Sequence, residues 1–347
     1  MSNPAELYES VRDEVGKVLV GQEDLVRGLT IASLTGGHVL LEGVPGIAKT
    51  TGAKLFSRAI GLEYSRIQMT PDLLPADITG TRIYRQGTGE FETERGPVFA
   101  NVVLADEINR ATPKTQSALL EAMQEEQVTI GGEEMSLPSP FLVIATQNPI
   151  EMEGVFSLPE AQRDRFQLKV TVGTPERDDE RAIIDRFDDN SSLGYEDIRS
   201  VVNTATLMQC RETVANVYVS APVKEYALDL TEETRQHDAT EHGASPRASI
   251  AFVDAGKGLA AIRGRNYVIP DDLKALARQV LAHRLVLDAD ANLRDVDPLE
   301  VIGDVLNGVE PPTTGFTPED IDTQRDGRAF ADGSPSSQQF SGAADDA

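Results

Sequence analysis

Residues 43–50 of this 347-residue chain read Gly-Val-Pro-Gly-Ile-Ala-Lys-Thr, and they follow the run His-Val-Leu-Leu-Glu at residues 38–42. The pattern predicts a strand that turns into a helix through a loop whose backbone N–H groups surround an anion. We expect this helix over residues 51–60, with the partial positive charge of its N-terminus facing the loop. Lys49 is then placed to reach the β- and γ-phosphates of a nucleotide, and the Thr50 hydroxyl to hold Mg²⁺. Ala48 stands where such loops usually carry glycine, so the backbone there has less conformational freedom.

A second apolar run, at residues 101–105, ends in Asp106 and Glu107. It is typical of a buried parallel strand, and acids at the carboxyl end of such a strand lie where α/β sheets bind ligands. We expect Asp106 to hold Mg²⁺ through water, and Glu107 to orient and polarise an attacking water. Solvated acids capping a strand would give the same pattern. The Lys-Thr loop upstream favours the nucleotide site.

Three further motifs follow along the chain. A third strand is predicted over residues 141–146 and ends at Gln-Asn-Pro, where the Asn148 amide is placed to hydrogen-bond a γ-phosphate or the nucleophilic water. Residues 158–166 read Leu-Pro-Glu-Ala-Gln-Arg-Asp-Arg-Phe. Residues 243–248 read Gly-Ala-Ser-Pro-Arg-Ala, with Pro246 suited to the first turn of a helix.

The order of these motifs resembles that of AAA+ ATPases, and their residue sequences resemble those of the MoxR family within that class. The resemblance runs from residue 5 to residue 308. The stretches that carry it are Glu-Gly-Val-Pro-Gly-Ile-Ala-Lys-Thr, Ala-Asp-Glu-Ile-Asn-Arg-Ala-Thr-Pro-Lys-Thr-Gln-Ser-Ala-Leu-Leu-Glu-Ala-Met-Gln-Glu, Ala-Thr-Gln-Asn-Pro-Ile-Glu, Pro-Glu-Ala-Gln-Arg-Asp-Arg-Phe and Gly-Ala-Ser-Pro-Arg-Ala. The family commonly carries alanine at the position of Ala48, so this residue does not indicate an inactive site.

The resemblance implies a role for each matching residue. It makes Asn148 sensor 1, Arg165 the arginine finger, Arg247 sensor 2 on a lid that closes over nucleotide, and Thr50 and Asp106 the Mg²⁺ ligands. The catalytic residues it implies are Lys49, Glu107, Asn148 and Arg165. The nucleotide-binding residues it implies are Val20, Gly21, Gln22, Gly43, Val44, Pro45, Gly46, Ile47, Ala48, Lys49, Thr50, Thr51 and Arg247.

The choice of finger stays open between two arginines. Arg163 stands where the family has an apolar residue, while Phe166 follows Arg165 as in the family motif and favours Arg165. Arg110, Lys114 and Arg163 are equally consistent with solvated surface charge.

Hydrophobic patterning divides the chain into three predicted parts. Residues 1–175 alternate strand and helix patterns, which predicts an α/β P-loop core with a doubly wound parallel sheet. Hairpins are expected at 79–94 and 127–137; in the resemblance they usually face a central pore, although ordinary surface hairpins fit the same pattern. Residues 176–308 predict an all-helical lid, with helices near 175–187, 196–213, 222–235, 246–262 and 270–284. Residues 309–347 have almost nothing to bury and predict a disordered acidic tail.

The composition is strongly acidic, with a formal net charge of −25 and with 24 Arg but only 8 Lys. Such a balance resembles the proteins of salt-accumulating halophilic archaea, or else reflects an acidic face for a basic partner. It disfavours nucleic acid, because no basic stripe is available to neutralise phosphates. Cys210 is the only cysteine, which excludes an internal disulfide. The sequence shows no membrane-length apolar run and no signal peptide, so we expect a cytoplasmic protein without membrane insertion.

The resemblance implies an ATP-hydrolysing remodelling factor that forms a hexameric ring and whose cofactors are ATP and Mg²⁺. The resemblance implies a protein client, often a von Willebrand A-domain protein, and a finger that reaches the nucleotide of the next subunit. Two alternatives are a nucleic-acid motor related to helicases with a helix 2 insert, and a nucleotide-gated interaction module with little turnover. The acidic surface argues against the first alternative, and the intact Asp106, Glu107 and Arg165 argue against the second.

We predict that folding and ATPase activity require molar KCl or NaCl. The charge of −25 repels itself, and the screening length falls from about 10 Å at 0.1 M salt to about 3 Å at 1 M. The midpoint of a thermal melt should therefore rise between about 0.1 M and about 1 M KCl. A midpoint that stays constant or falls would contradict the halophilic interpretation and would favour a basic partner.

Overall fold

Helices and short strands alternate through the first half of the chain, and the second half is mainly helical. The computed structural model describes residues 3–44, 46, 49–87, 89–149, 156–188 and 194–312. The elements in chain order are α1 (Pro4–Gly16), α2 (Glu23–Thr35), β1 (Val39–Glu42), α3 (Lys49–Ala59), β2 (Tyr64–Gln68), α4 (Pro75–Thr79), β3 (Gly80–Arg85), β4 (Glu90–Arg95), β5 (Val102–Asp106), α5 (Pro113–Glu125), β6 (Gln127–Ile130), β7 (Glu133–Ser136), β8 (Leu142–Gln147), α6 (Glu160–Arg163), β9 (Leu168–Thr171), α7 (Arg177–Asp188), α8 (Thr204–Ala215), α9 (Ala221–Gln236), β10 (Thr240–His242), α10 (Pro246–Ile262), α11 (Pro270–Leu281), β11 (Val286–Leu287), α12 (Ala289–Leu293) and α13 (Pro298–Gly308).

In the described part of the chain the central sheet has five parallel strands, in the order β2-β5-β8-β1-β9. Val39 pairs with Leu168 and Glu42 with Thr171, so β1 and β9 run side by side over their whole length. The three inner strands β5, β8 and β1 are almost continuously apolar and buried, as expected where helices cover both faces, whereas the edge strand β2 carries polar residues. The predicted α/β architecture, a parallel sheet covered by helices and followed by a mainly helical lid, is confirmed. All carboxyl ends of the strands meet at one edge, and this edge carries the loops after β1, β5 and β8.

Close helix packing on the sheet explains where small residues occur. A Cβ on Gly28 of α2 would come within 2.7 Å of the Val170 side chain in β9, so only glycine permits this approach. Phe141 and Phe166 are fully buried against the other face of the sheet. Each such aromatic side chain stabilises the fold by about 1.5–3 kcal/mol through the area it removes from water.

Both predicted segments near 79–94 and 127–137 contain hairpins. In the first, β3 pairs with β4, and the exposed rings of Tyr84 and Phe91 lie 5.2 Å apart across the strands. In the second, β6 pairs with β7 through Gly131 and Gly132, whose positive φ values of 61° and 88° suit a tight turn. Whether these hairpins face a pore stays a prediction.

The lid differs from its prediction at one helix. A single helix was expected over 196–213, but α8 begins at residue 204, where Asn203 Oδ1 accepts the Thr206 N–H at 2.8 Å as an N-cap. The preceding backbone is engaged elsewhere, because the Val201 N–H donates to Ala59 O at 2.8 Å and Arg58 Nε donates to Ile198 O at 2.6 Å. Tertiary contacts with the end of α3 therefore override the helical periodicity of this segment.

The lid also contains elements that the pattern did not predict. The short antiparallel pair β10–β11 departs from an all-helical lid, and α12 and α13 follow it. Residues 1–312 group as one unit, and residues 313–347, most of the predicted tail, lie outside the described residues. The boundaries at 175 and 308 stay predictions. Among the residues described, no helix is long and apolar enough to cross a membrane.

Two of the described histidines, His38 and His283, are buried in the fold. His38 precedes β1; its Nε2 lies 3.0 Å from Met123 O, and its Nδ1 accepts the Val143 N–H at 3.0 Å, which places the ring proton on Nε2. Burial lowers the pKa of His38 to about 4. Burial also lowers the pKa of His283, after α11, well below its ordinary value. Both side chains are therefore neutral in the folded protein at neutral pH.

We predict that the free energy of unfolding falls as the pH drops from 6.5 towards 4. Over this range the unfolded chain binds a proton at each of these histidines and the folded chain does not, so stability is full above the unfolded pKa and is lost below it. His38 alone accounts for a loss of about 3 kcal/mol by pH 4. Urea unfolding at several pH values, in parallel on wild type and His38→Gln, measures this slope. Glutamine keeps one donor and one acceptor without titrating, so equal slopes would contradict the assignment.

Candidate active site

The phosphate loop is positioned by the end of β1 and the start of α3. The Gly43 N–H lies 3.4 Å from Gln147 O of β8, and Gly46 has φ of 86°, a left-handed conformation that glycine adopts without strain. Lys49 begins α3, and its Nζ donates to Gly43 O and, at 3.3 Å, to Gln147 O. The ammonium group of Lys49 therefore lies across the opening of the phosphate loop. The predicted binding residues Pro45, Ile47 and Ala48 lie outside the described residues, whereas Val44 is half-buried and Thr51 exposed.

Asp106 is the most heavily bonded side chain of the site. It is 6% exposed at the end of β5. Its Oδ1 accepts from Thr146 Oγ1 at 2.6 Å, and its Oδ2 accepts from Thr50 Oγ1 at 3.1 Å. Arg66 adds two bonds to Oδ2, from Nε at 3.0 Å and from Nη2 at 2.6 Å. The strand end thus brings together the two predicted metal ligands.

The donor chemistry of this cluster suits Mg²⁺. A carboxylate and a hydroxyl are hard oxygen ligands, and Mg²⁺ is usually bound by one or two such groups together with water and substrate phosphates. In the described ranges no group of three or more His, Cys, Asp or Glu forms a complete metal cage. Thr50 and Asp106 therefore fit a cation that arrives with a nucleotide.

Glu107 has an unusual backbone conformation, with φ of 58° and ψ of 54°. The left-handed region costs a residue with a Cβ about 1–2 kcal/mol, and such strain is typical of functional positions. Its N–H donates to Thr146 Oγ1 at 2.8 Å, while its Oε2 accepts from Gln68 Nε2 at 2.8 Å and from Arg110 at 3.1 Å. The carboxylate is thereby held at the edge of the same cavity as Lys49.

This cavity has a volume of about 330 Å³ and joins the predicted phosphate-binding and catalytic groups. Asn148, the predicted sensor 1, is buried at its wall after β8. The residues that line it are Gly46, Lys49, Thr50, Thr51, Asp106, Glu107, Thr146 and Asn148. A separate cavity of about 400 Å³, between α1 and α2, is lined by Val20, Gly21 and Gln22, which were predicted to surround adenine.

Sequence reasoning missed Arg66, Gln68 and Thr146. Gln68 is the last residue of β2 and pairs in register with Asp106, so it lies beside the acids at the same sheet edge. Arg66 Nη2 also donates to Gln68 Oε1 at 2.5 Å, which links the bonds of Asp106 to those of Glu107. Their signal was available in principle, because polar residues that end or interrupt a parallel strand next to an acidic strand end face the same crevice.

Arg165 and Arg247 lie together at the opposite edge of the sheet. Arg165 precedes β9, and it lines a cavity of about 260 Å³ with Gly36 and His38, which precede β1. Arg247, in the first turn of α10, lines the same cavity. β1 alone, at about 3.3 Å per residue, puts roughly 13 Å between this edge and the phosphate loop. Arg247 therefore lies apart from the phosphate loop of its own chain in this structure, and its role as sensor 2 stays a prediction.

The two candidate fingers differ in their position. Arg165 lines the cavity, whereas Arg163 ends α6 and is not among the cavity residues. The Nε atoms of both are buried and have no hydrogen-bond partner among the described residues. A buried guanidinium nitrogen without a partner is costly unless a ligand or partner supplies an acceptor. The cavity position favours Arg165 over Arg163.

Comparisons with known proteins agree with this geometry. A model of the ATPase family associated with various cellular activities (AAA) matches residues 38–168, and an AAA lid domain model matches residues 232–303. Chaperone MoxR1 of Mycobacterium tuberculosis is 48% identical over 315 residues, which cover 88% of this chain and 82% of the relative. Protein MoxR of Methylorubrum extorquens is 31% identical over 320 residues, with 85% and 91% covered. The crystal structure of a proposed ATPase from Cytophaga hutchinsonii has a TM-score of 0.82 at 40% identity, over 89% of this chain and 96% of that chain.

A parallel-stranded nucleotide-binding core joined to a helical lid defines the AAA+ class of ATPases. The identity to MoxR proteins extends over most of their length, and the chain belongs to the MoxR family of that class. It is a chaperone-like ATPase, and the predicted activity, ATP hydrolysis, is confirmed at this level.

We predict that Glu107→Gln binds ATP but hydrolyses it very slowly. The amide keeps the size and the contact with Gln68 but cannot polarise water as a carboxylate does. General-base catalysis typically contributes about 10²–10⁴-fold, so kcat should fall within this range while nucleotide affinity is kept. Fluorescent ATP binding and phosphate release measure the two quantities. Glu126→Gln, which changes an acid at the end of α5, is the control and should hydrolyse normally; near wild-type turnover in Glu107→Gln would remove Glu107 from its role.

Proposed function

We propose that this ATPase works as a closed ring, predicted to be a hexamer, in which each active site combines residues of two neighbouring subunits. The observation that carries the proposal is the separation of Arg165 and Arg247 from Lys49 and Asp106 by the length of β1. One chain presents its phosphate loop at the carboxyl edge of the sheet and its arginine pair at the amino edge. A head-to-tail assembly that closes on itself brings the two edges together.

Hydrolysis in such a site is an in-line attack of water on the γ-phosphate, in which positioning and charge neutralisation supply the rate. Lys49 and the backbone N–H groups at the start of α3 bind the phosphates, and Asn148 is placed to orient the γ-phosphate or the water. Thr50 and Asp106 would hold Mg²⁺, which supplies positive charge to the phosphate oxygens. Glu107 orients the attacking water and accepts its proton as the water oxygen bonds the γ-phosphorus and the bond to ADP breaks. Arg165 of the adjoining subunit neutralises charge that develops on the γ-phosphate.

The ring uses the energy of ATP hydrolysis to remodel a protein client. We propose a von Willebrand A-domain protein as the client class, on the strength of the MoxR resemblance. The exposed Tyr84 and Phe91 of the β3–β4 hairpin give the ring an aromatic surface for such a client. The formal charge of −25 disfavours a nucleic-acid substrate, because phosphate binding needs clustered basic residues. The cytoplasm stays the predicted location.

We predict that Arg165→Ala and Arg247→Ala each bind ATP normally and lose hydrolysis, and that each regains activity when mixed with Glu107→Gln. In mixed rings a Glu107→Gln subunit presents intact arginines to a neighbour with an intact Glu107. An arginine supplied in trans is worth about 10³–10⁵ in rate in related phosphoryl transfer, so the recovered signal should be large. Phosphate release from the mixtures, with mass photometry to verify mixed rings, measures it.

The matched control is Arg163→Ala, which removes an arginine two residues away that does not line the arginine cavity. It should hydrolyse near the wild-type rate. Recovery for Arg165→Ala but not for Arg247→Ala would place Arg247 in the site of its own chain. A strictly monomeric preparation with full activity would remove the ring mechanism.

A further inference from the structure

The loop that carries Arg165 is fastened to the lid by a buried arginine. The Arg284 side chain, just after α11, is 2% exposed. Its Nε donates to Asp164 Oδ1 at 2.8 Å, and its Nη2 donates to Phe166 O at 2.7 Å and approaches Asp164 O at 3.4 Å. Its Nη1 approaches Gln167 O at 3.3 Å. One guanidinium thus binds the backbone on both sides of Arg165.

The other oxygen of Asp164 binds the start of α10. Asp164 Oδ2 accepts from Ser245 Oγ at 2.7 Å, and the same Ser245 Oγ accepts the Arg247 N–H at 3.1 Å as the N-cap of the helix. The Arg247 guanidinium lies 3.9 Å from Asp164 Oδ2. Asp164 is therefore the junction of three segments: the loop before β9, the first turn of α10 and the end of α11.

We propose that Asp164 and Arg284 are positioning residues for the trans site: they lock the loop of residues 163–167 to the lid, so that Arg165 and Arg247 reach the neighbouring nucleotide as one unit. The proposal rests on the proposed function of Arg165 in trans. Arg284 touches no reacting atom, because its donors are all directed at its own chain. It acts by fixing the backbone from which the Arg165 side chain extends.

Two physical arguments support this assignment. The fork of a guanidinium has five N–H donors in fixed geometry, so binding several acceptors at once defines the position of the loop as well as its attachment. The contacts are also enclosed, which keeps them strong in salt that screens surface charges. A force on the arginine pair, when the neighbour binds or loses its nucleotide, therefore passes into α10 and α11.

The test is a set of mixing experiments with Arg284→Met. Methionine has similar length and fills the buried space, but it donates no hydrogen bond to the loop. Displacing a catalytic group by about 1 Å costs about 10²-fold in rate, so the pure variant should lose about this factor in kcat. Its ATP affinity should stay within about twofold of wild type, because the phosphate loop lies at the other edge of the sheet.

The mixtures assign the defect to one side of the interface. Arg284→Met mixed with Glu107→Gln should regain activity, because the partner supplies a well-positioned Arg165 and Arg247. Arg284→Met mixed with Arg165→Ala should stay inactive, because both lack a competent arginine pair. A variant that merely weakened the fold would be rescued by neither partner.

Arg265→Met is the matched control for loss of a buried ion pair. Arg265 donates to the fully buried Asp272 at 2.8 Å and 2.6 Å, within the lid and away from the loop of Arg165. Its thermal midpoint should fall as in Arg284→Met, while its kcat at a temperature below both melts should stay near wild type. If Arg284→Met does not fold, Arg284→Lys replaces it. Lysine keeps the charge beside Asp164 without the fork, and it should show a smaller kcat loss with the same pattern of rescue.

The outcomes separate the two proposals. The reference mixture of Arg165→Ala with Glu107→Gln tests the trans site itself, and its failure would overturn both. If the reference mixture recovers activity but the Arg284 variants hydrolyse ATP at the wild-type rate, or are not rescued by Glu107→Gln, the positioning role is overturned and the trans finger stands. Equal loss of kcat in Arg265→Met would likewise reduce the role of Arg284 to general stability.

Discussion

The parallel pairing of β1 with β9 is the constraint on which the rest of this protein depends. Because the strands run in the same direction, the segment before β9 and the loop after β1 end at opposite edges of the sheet. No side chain spans that distance, so Arg165 and the phosphate loop of one chain cannot meet. A sheet with β9 reversed would have placed them together and allowed a monomeric enzyme. In the proposed ring, the direction of pairing therefore leaves Arg165 to serve the nucleotide site of a neighbouring copy.

At the carboxyl edge the arrangement is centred on Asp106. Its carboxylate accepts hydrogen bonds from α3, β2 and β8, through Thr50, Arg66 and Thr146. Asp106 therefore links the predicted Mg²⁺ ligand Thr50, at the start of α3, to Thr146, which also accepts the Glu107 N–H. Arg66 donates to Asp106 Oδ2, the same oxygen that accepts from Thr50. A cation that approaches this oxygen, directly or through water, would change the hydrogen bonds of Arg66. Because Arg66 also binds Gln68, it would then change the hydrogen bonds of Glu107.

The sequence predicted the parts of the fold and of the site that neighbouring residues determine. It did not predict the parts that depend on contacts between segments far apart along the chain. The Lys-Thr loop and the acids after an apolar run were recognisable because strand ends and helix starts are encoded by neighbouring residues. The start of α8 was misplaced because residues 198–202 bind the end of α3. Gln68 and Arg66 were missed because only the register of β2 with β5 brings them to the acids. The position of Arg247 beside Arg165 could not be read from its motif, because it depends on how the lid packs against the core.

The excess of arginine over lysine has a structural explanation in addition to the acidic surface. Exposed acids interact through solvent and are screened by salt, whereas enclosed pairs are not. In this fold Asp164, whose side chain is 14% exposed, accepts one hydrogen bond from Arg284, and the fully buried Asp272 accepts one from Arg263 and two from Arg265. Guanidinium groups suit these positions because they bind carboxylates with two donors and are weakly hydrated, which a lysine ammonium is not. Salt that relieves repulsion among the surface acids therefore leaves intact the pairs that join the lid to the loop of Arg165.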